Sequence, residues 1–556
     1  MIASGLVGLG LSPRQTHKLP PTPTCPRGPV IAPVVLVQLP NGLPIAPILL
    51  GTFASGLTAT LVSPALTSDE IAWILQNAKP RVIITATATL GAMRGALEKQ
   101  QDQSYFGKVP IFTVDAADQY PLESSSVSPA GTRDWKELLR SPPRPRVRFS
   151  DRDADIRTAV ILWSSGTSGR SKGVLLSHHA LNFSCGSLWH DADFYLGQQP
   201  RWLGYVPFYH VFGLCNVLLI AICTGATVYT MPAFSLDGML AAIPQRRITY
   251  LHMAPPIAVM LAKAPNVEKY ARRDANGRNA FSSVFGAVTG GAPLGHEVVV
   301  EVYKRCGFRI RLGYGLSETC STALQRGLTE AEMHAHAGDT GRPHWGVELK
   351  IAPTDGSGAV AKLDQEGEIL VRAPSLMMAY LPVGLFSGAK PDMSVTMEAV
   401  TADGWFRTGD VGALNADGRL RITDRLKELI KVRAYQVAPA ELEAVLCSSE
   451  KVADAGVIGV YDASEATEWP RAFVVPRQGM KGTSRKELEA LGQELKAFTE
   501  KRTAKYKWLV GGLVFVEQIP KSPSGKILRR VLKDGGKGTE GVEVVLYQPK
   551  RRGPKL

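Results

Sequence analysis

The stretch Trp163-Ser164-Ser165-Gly166-Thr167-Ser168-Gly169-Arg170-Ser171-Lys172-Gly173-Val174 decides how this chain reads. It sets hydroxyl side chains, three glycines and one lysine between the strand-like runs Ala159-Val160-Ile161-Leu162 and Val174-Leu175-Leu176. Glycine lets backbone N–H groups close on an anion, hydroxyls add donors, and lysine neutralises charge. Those are the parts of a polyphosphate cradle. The usual P-loop is excluded, because G-x4-G-K-[ST] needs glycine where Ser171 stands. Taken alone, the same composition suits a surface turn, so the rest of the chain has to decide.

At 556 residues the chain is too long for one compact core, and its length suggests about three or four domains. A hydrophobic content of 45% with 21% charged residues fits a soluble globular protein. Cys25, Cys185, Cys215, Cys223, Cys306, Cys320 and Cys447 form no C-x-x-C pair, and no signal peptide is evident. That points to a reducing compartment and away from a metal centre built on cysteine. The net charge of +14 raises the question of nucleic acid. The basic residues are dispersed, however, and no zinc-finger spacing or RNA-recognition motif accompanies them. The expected partners are anionic small molecules. Two uncharged stretches, 34–68 and 214–231, are broken by Pro40, Asn41 and Pro44 and by Gly225. They read as buried elements, so no transmembrane segment is expected.

Apolar runs alternate with helical segments through most of the chain. Val34–Leu39, Val82–Ile84, Ala226–Tyr229, Tyr250–Met253 and Ser283–Thr289 read as strands, and Ile45–Ala54 and Ser68–Gln76 as helices. Such alternation favours parallel sheets covered by helices. Around 338–425 the texture changes to short strands with Gly and Asp turns, which suggests a small antiparallel or barrel-like unit. Beyond residue 424 the pattern is α+β. The expected organisation is an N-terminal domain over 34–424, a C-terminal domain over 425–535 and a basic tail over 536–556. Ala3–Leu11 reads as the end of an amphipathic helix. Gln15–Pro33, rich in Pro, Thr and basic residues, reads as a disordered insertion.

Four further segments concentrate chemistry. Arg311-Leu312-Gly313-Tyr314-Gly315-Leu316-Ser317-Glu318 brings a ring, glycines, a hydroxyl and a carboxylate into one turn. There Tyr314 can cover a planar base and Glu318 can hold Mg2+ through oxygen. Gly404-Trp405-Phe406-Arg407-Thr408-Gly409-Asp410 ends in a carboxylate able to accept from a ribose diol. Asp424-Arg425-Leu426-Lys427-Glu428-Leu429-Ile430-Lys431 is a charged junction, and Pro520-Lys521-Ser522-Pro523-Ser524-Gly525-Lys526-Ile527 is a proline-flanked loop presenting Lys526.

With these motifs in this order, the chain resembles the adenylate-forming superfamily of acyl-CoA synthetases, 4-coumarate–CoA ligases, luciferases and peptide-synthetase adenylation domains. The resemblance runs from about residue 34 to about residue 535. The wording is similar to the coumarate-ligase-like branch at Pro207-Phe208-Tyr209-His210-Val211-Phe212-Gly213-Leu214 and Gln436-Val437-Ala438-Pro439-Ala440-Glu441-Leu442-Glu443. It implies an α/β fold: a large N-terminal domain of two doubly wound sheets with a small β-barrel-like subdomain, and a small mobile α+β C-terminal domain. It implies an AMP-forming acid–CoA ligase that uses ATP, Mg2+ and CoA.

By that resemblance Ser164, Ser165, Gly166, Thr167, Ser168, Gly169 and Lys172 hold the β- and γ-phosphates, Glu318 positions Mg2+, and Ser317 touches the α-phosphate. Gly291, Ala292, Pro293, Gly313, Tyr314 and Gly315 enclose the adenine, and Asp410 and Arg425 take the ribose. Lys526 bridges the transferring phosphate and the substrate carboxylate. Lys427 matches the hinge, Lys431 joins the nucleotide site, and Arg433 and Ala434 border the CoA path. His210 matches the gate beside the carboxylate, and Val211, Phe212, Asn216, Ser321 and Thr322 line the acid pocket with Gly291 and Gly313.

Departures from the family pattern shape the remaining expectations. Ser171 stands where proline is usual, which loosens the loop, and Leu312 replaces a common Gln. Ala434 replaces a glycine where the pantetheine arm passes, so a weakened CoA step, or an ATP-binding pseudo-enzyme, is the alternative to a competent ligase. The N-terminus reads as truncated and carries an insertion. No Asp stands in 208–214 to pair with an α-amino group, so the acid is expected to be an aryl-propenoic or medium-chain fatty acid. No carrier segment is visible after Lys526. The terminal Pro554-Lys555-Leu556 resembles a peroxisomal import tripeptide, against which a cytoplasmic location is the alternative.

Overall fold

The computed structural model describes the chain except residues 116–127, 165–169, 192–198, 354–358, 389, 427, 434, 463–464, 466, 523–524, 536–540 and 545–556. Two large sheets dominate. One runs, in spatial order, Ala379–Tyr380, Lys172–Ser177, Thr158–Ser164, Thr58–Leu61, Val34–Gln38, Val82–Ala86, Ile111–Val114 and Arg133–Asp134. The other runs Thr227–Thr230, Arg201–Gly204, Tyr250–Met253, Gly286–Thr289, Ile310–Leu316, Cys320–Leu324 and Arg342–Pro343. Their central strands pair in parallel. Val34–Gln38 is buried at every position, as a strand covered on both faces must be. Helices form where the sequence supplies caps: Thr67 and Glu70 make a reciprocal capping box at the start of Ser68–Ala78.

The expected barrel-like unit is a four-stranded antiparallel sheet of Glu348–Ala352, Gly367–Arg372, Phe406–Leu414 and Leu420–Arg425. A separate apolar core begins at Ile430 and collects Val457, Val474, Leu488 and Phe515. It lies between the sheet containing Val452–Asp462 and Thr467–Pro476 and the helices Pro439–Cys447 and Arg485–Glu500. A small apolar cluster of Val411, Leu429 and Ala438 joins the two parts. Among the described residues, no helix is long and apolar enough to cross a membrane.

One expectation is corrected by the structure. The stretch 15–33 is folded, not disordered: His17–Lys18 pairs antiparallel with Val30–Ile31, and Leu19, Cys25 and Ile31 are buried against Met378 and Leu381. The Thr22 hydroxyl donates to the Met378 carbonyl at 2.7 Å, and that of Thr24 at 3.1 Å. Its composition suggested that it cannot build a core of its own, but an edge some 350 residues away supplies one. The preceding helix, Ile2–Gly8, packs on Ile45–Ala54 so closely that a Cβ on Gly51 would lie 2.6 Å from the Ile2 side chain.

Candidate active site

The opening motif folds as a hairpin. Thr158–Ser164 and Lys172–Ser177 pair antiparallel, so Ser164 and Lys172 stand opposite each other at its mouth. Residues Ser165, Gly166, Thr167, Ser168 and Gly169 lie outside the described residues. The loop's return is anchored by Trp73, whose indole N–H donates to the Ser171 carbonyl at 3.0 Å and whose ring lies 4.5 Å from the Arg170 guanidinium.

Ser164 and Lys172 border a cleft of about 1840 Å³ that also takes in Gly291, Gly315, Ser317, Glu318, Arg425 and Lys526. Six residues from distant parts of the chain therefore share it with Ser164 and Lys172. Glu318 is nearly buried. Its Oε1 accepts from the Tyr380 hydroxyl at 2.9 Å, and the Tyr380 ring lies 4.9 Å from Lys172 Nζ. Burial raises the Tyr380 phenol, and the Glu318 charge raises it further, so it stays a donor. The sequence reading missed Tyr380. Its only signal was the short strand Ala379–Tyr380, added to the sheet edge beside Lys172–Ser177.

A second group sits where the two subregions meet. Asp410 and Arg425 are cross-strand partners, 3.1 Å apart at Oδ1 and Nε. The Tyr314 hydroxyl donates to Asp410 Oδ2 at 2.7 Å. Burial pushes the Asp410 carboxyl up, against the Arg425 charge and the Tyr314 hydrogen bond. Lys526 approaches from the C-terminal part, 3.9 Å from Glu428 Oε1, while Glu428 is held at 2.8 Å by Arg529. Burial and then the Arg425 charge lower the Lys526 ammonium, which primes it to gain from an anion.

A narrow pocket with about 50 Å³ of open space branches from the cleft at His210, Val211, Phe212, Gly290, Gly291 and Gly315. Asn216, Gly313, Tyr314 and Ser321 complete the expected lining. Asn216 belongs to a π-helical turn, Leu214–Leu219, an irregularity that recurs at functional sites. Gly315 has to be glycine: a Cβ there would lie 2.1 Å from the Cys320 carbonyl. His210 caps the helix Val211–Gly213, its Nδ1 accepting from the Phe212 N–H at 3.3 Å. Burial lowers its pKa to about 4, so the neutral ring keeps its proton on Nε2.

Not every expected residue lines these cavities. Thr322 is fully buried behind the wall, its hydroxyl 2.8 Å from that of Thr319. Ala292 and Pro293, which follow Gly291, line neither cavity, and neither does Asp410, which is buried behind Arg425 with both carboxylate oxygens engaged. Lys431 and Arg433 are exposed around the hairpin of Ile430–Val432 and Tyr435–Val437, away from the cleft, and Arg433 pairs with Glu465 at 2.6 Å. Lys427 and Ala434 lie outside the described residues.

Comparison with known proteins accords with this geometry. Residues 30–381 match the family described as AMP-binding enzyme, and 441–526 match the AMP-binding enzyme C-terminal domain. The chain is 33% identical to 4-coumarate--CoA ligase-like 2 of Arabidopsis thaliana, covering 90% of this chain and 81% of that protein. It is 32% identical to the probable 4-coumarate--CoA ligase 2 of Dictyostelium discoideum, covering 90% and 85%. Its fold is shared with ATP-bound MatB from Rhodopseudomonas palustris, at a TM-score of 0.75 and 21% identity over 96% of this chain and 91% of that one. The o-succinylbenzoate CoA synthetase of Bacillus subtilis, solved with its acyl-adenylate, gives a TM-score of 0.71 and 24% identity over 97% and 92%.

Proposed function

Since the chain belongs to the AMP-binding enzyme family, we propose that it is an AMP-forming acid–CoA ligase acting on an aryl-propenoic or medium-chain fatty acid. The observation that carries this reading is the arrival of Lys526 at the cleft that holds Lys172, Glu318 and Arg425.

A carboxylate oxygen attacks the α-phosphorus of ATP; the acyl–O–P bond forms as the bond to pyrophosphate breaks. Both the reacting phosphate and the leaving group need their negative charge offset by preorganised groups. Lys172 and the hydroxyl-rich loop serve the leaving pyrophosphate. Lys526 serves the α-phosphate and the attacking carboxylate. Asp410, anchored by Arg425 and Tyr314, accepts from the ribose hydroxyls. Glu318, which accepts from Tyr380 through one oxygen and lines the cleft, suits Mg2+, a hard cation that takes one carboxylate and completes its shell with phosphate and water. The Nε2–H of His210 points a neutral donor at the acid's carboxylate.

Thioester formation follows: the CoA sulfur attacks the acyl carbon and AMP leaves. Arg433 and Ala434 are assigned to this second step and Lys427 to the hinge that leads to it; Arg433 stands exposed beside the hairpin of Ile430–Val432 and Tyr435–Val437. Ala434 favours a second reading, in which adenylation proceeds and the CoA step is slow. Pyrophosphate release with a panel of carboxylic acids, with and without CoA, tests both. Acid-dependent release that CoA accelerates is the expected result. Acid-dependent release indifferent to CoA supports the second reading, and release independent of any acid overturns both. For location, the terminal Pro554-Lys555-Leu556 supports peroxisomal import; a fluorescent protein carrying the last ten residues that stays cytoplasmic overturns it.

A further inference from the structure

Ser321, His344 and Asp191 come from three separate parts of the chain: the strand Cys320–Leu324, the segment after Arg342–Pro343, and the last turn of the helix His178–Asp191. Ser321 Oγ lies 2.9 Å from His344 Nε2, and His344 Nδ1 lies 3.1 Å from Asp191 Oδ2. The side chains of His344 and Asp191 are each 1% exposed. Asp191 also accepts the Trp345 N–H at 2.7 Å and an Arg326 N–H at 2.8 Å, and its Oδ1 lies 2.9 Å from His190 Nδ1. Burial alone would raise this carboxyl, yet the hydrogen bonds from His344, His190 and Trp345 hold it well below the usual carboxylate range.

With Asp191 Oδ2 accepting from the His344 Nδ1–H, Nε2 is left to accept from the Ser321 hydroxyl. A nucleophile, its base and an orienting carboxylate stand in the mutual geometry of a Ser–His–Asp triad. This serine opens on a cavity: Ser321 lines the narrow pocket that branches from the cleft. The backbone amides of Gly290 and Gly291, which line the same pocket, donate to no described residue and are available to an oxyanion.

We propose that Ser321, His344 and Asp191 give this protein a second, ATP-independent activity: hydrolysis of small acyl esters through an acyl-Ser321 intermediate. Ser321 Oγ bonds to the ester carbonyl carbon while its proton passes to His344 Nε2. The carbon–oxygen bond to the alcohol breaks, and the alcohol leaves with the proton from His344. Water then attacks the acyl-serine, giving its proton to His344; the carboxylic acid departs and Ser321 regains its hydrogen. A short acyl group suits a pocket with about 50 Å³ of open space. The alcohol portion lies in the larger cleft. Asp191 acts through His344 and is a positioning residue.

The test uses the full chain with 4-nitrophenyl acetate, without ATP or CoA, so it fails or succeeds independently of the ligase reading. The expected result is nitrophenolate release above the buffer rate, with an acetyl increment on the Ser321 peptide after acid quenching. Ser321→Ala should lower the release at least tenfold, and Asp191→Asn should do the same through the base it orients. Ser321→Cys should restore acetylation at 321, a rescue that a merely structural hydrogen-bond chain would not give. Thermal unfolding accompanies each variant, and the wild-type labelling decides the matter if a variant does not fold. Release unchanged in a folded Ser321→Ala, or acetyl found only on other residues, overturns the proposal.

Discussion

The Tyr380 hydroxyl donates to Glu318 Oε1 at 2.9 Å while the Tyr380 ring lies 4.9 Å from Lys172 Nζ. One side chain thus touches both the carboxylate and the ammonium of the phosphate site. Tyr380→Phe keeps the ring and removes the hydrogen bond, worth about 1.5–3 kcal/mol when one partner is charged. Acid-dependent pyrophosphate release should fall by about tenfold or more, and more Mg2+ should be needed for half-maximal rate. Glu318→Gln should cost more, on the order of 10²–10³ in rate.

Lys526→Ala should abolish adenylation, since loss of one preorganised charge costs on the order of 10²–10³ in rate. Thioester formation from supplied acyl-adenylate should survive, because Arg433, assigned to that step, is exposed beside a separate hairpin, away from Lys526. Single-turnover assays of the two half-reactions check this; equal loss in both would refute the division of labour.

Asp410→Ala strips Arg425 of its partner and leaves the Tyr314 hydroxyl without its acceptor in a buried place. Breaking a buried pair costs about 3–5 kcal/mol, and the part-exposed Arg425 brings the expected loss toward the lower end. Urea denaturation should show a lower midpoint, and AMP binding should weaken in the same variant.

Burial lowers His252 to about 3, where it packs between the rings of Trp202 and Tyr250 at 5.1 and 5.2 Å. Between the ordinary histidine pKa of about 6.5 and that lower value, the unfolded chain binds a proton that the folded chain refuses. Stability from this group is complete above about pH 6.5 and drains as the pH falls, at up to about 1.4 kcal/mol per pH unit. His252→Phe, which keeps a ring in place, should flatten the pH dependence by that slope, read from denaturation midpoints at pH 7 and pH 5.

Much of the fold was legible because period and punctuation are local. Ile45–Ala54 and Tyr250–Met253 stand where their apolar runs and turn residues put them. The candidate site was legible as separate pieces: a hydroxyl-glycine loop, a Gly-Tyr-Gly turn, a terminal Asp and a loop lysine each carry their chemistry in adjacent residues. Thr322 shows the limit. Strand alternation sends its neighbour Ser321 into the pocket and Thr322 into the core, and nothing in the motif says which face is which.

The sequence by itself determined which chemical groups this protein owns, because loops, caps and strand runs are encoded over a few residues. Only the tertiary structure decided who meets whom. It brought Tyr380 between Lys172 and Glu318, set Lys526 on the cleft with Arg425, and joined Asp191, His344 and Ser321 into one chain of hydrogen bonds. It also folded 15–33, a stretch whose composition argued for disorder, against an edge formed by residues 378–381. The reason is burial: a partner hundreds of residues away leaves no local trace, yet it supplies the apolar surface and the acceptors that fix each side chain.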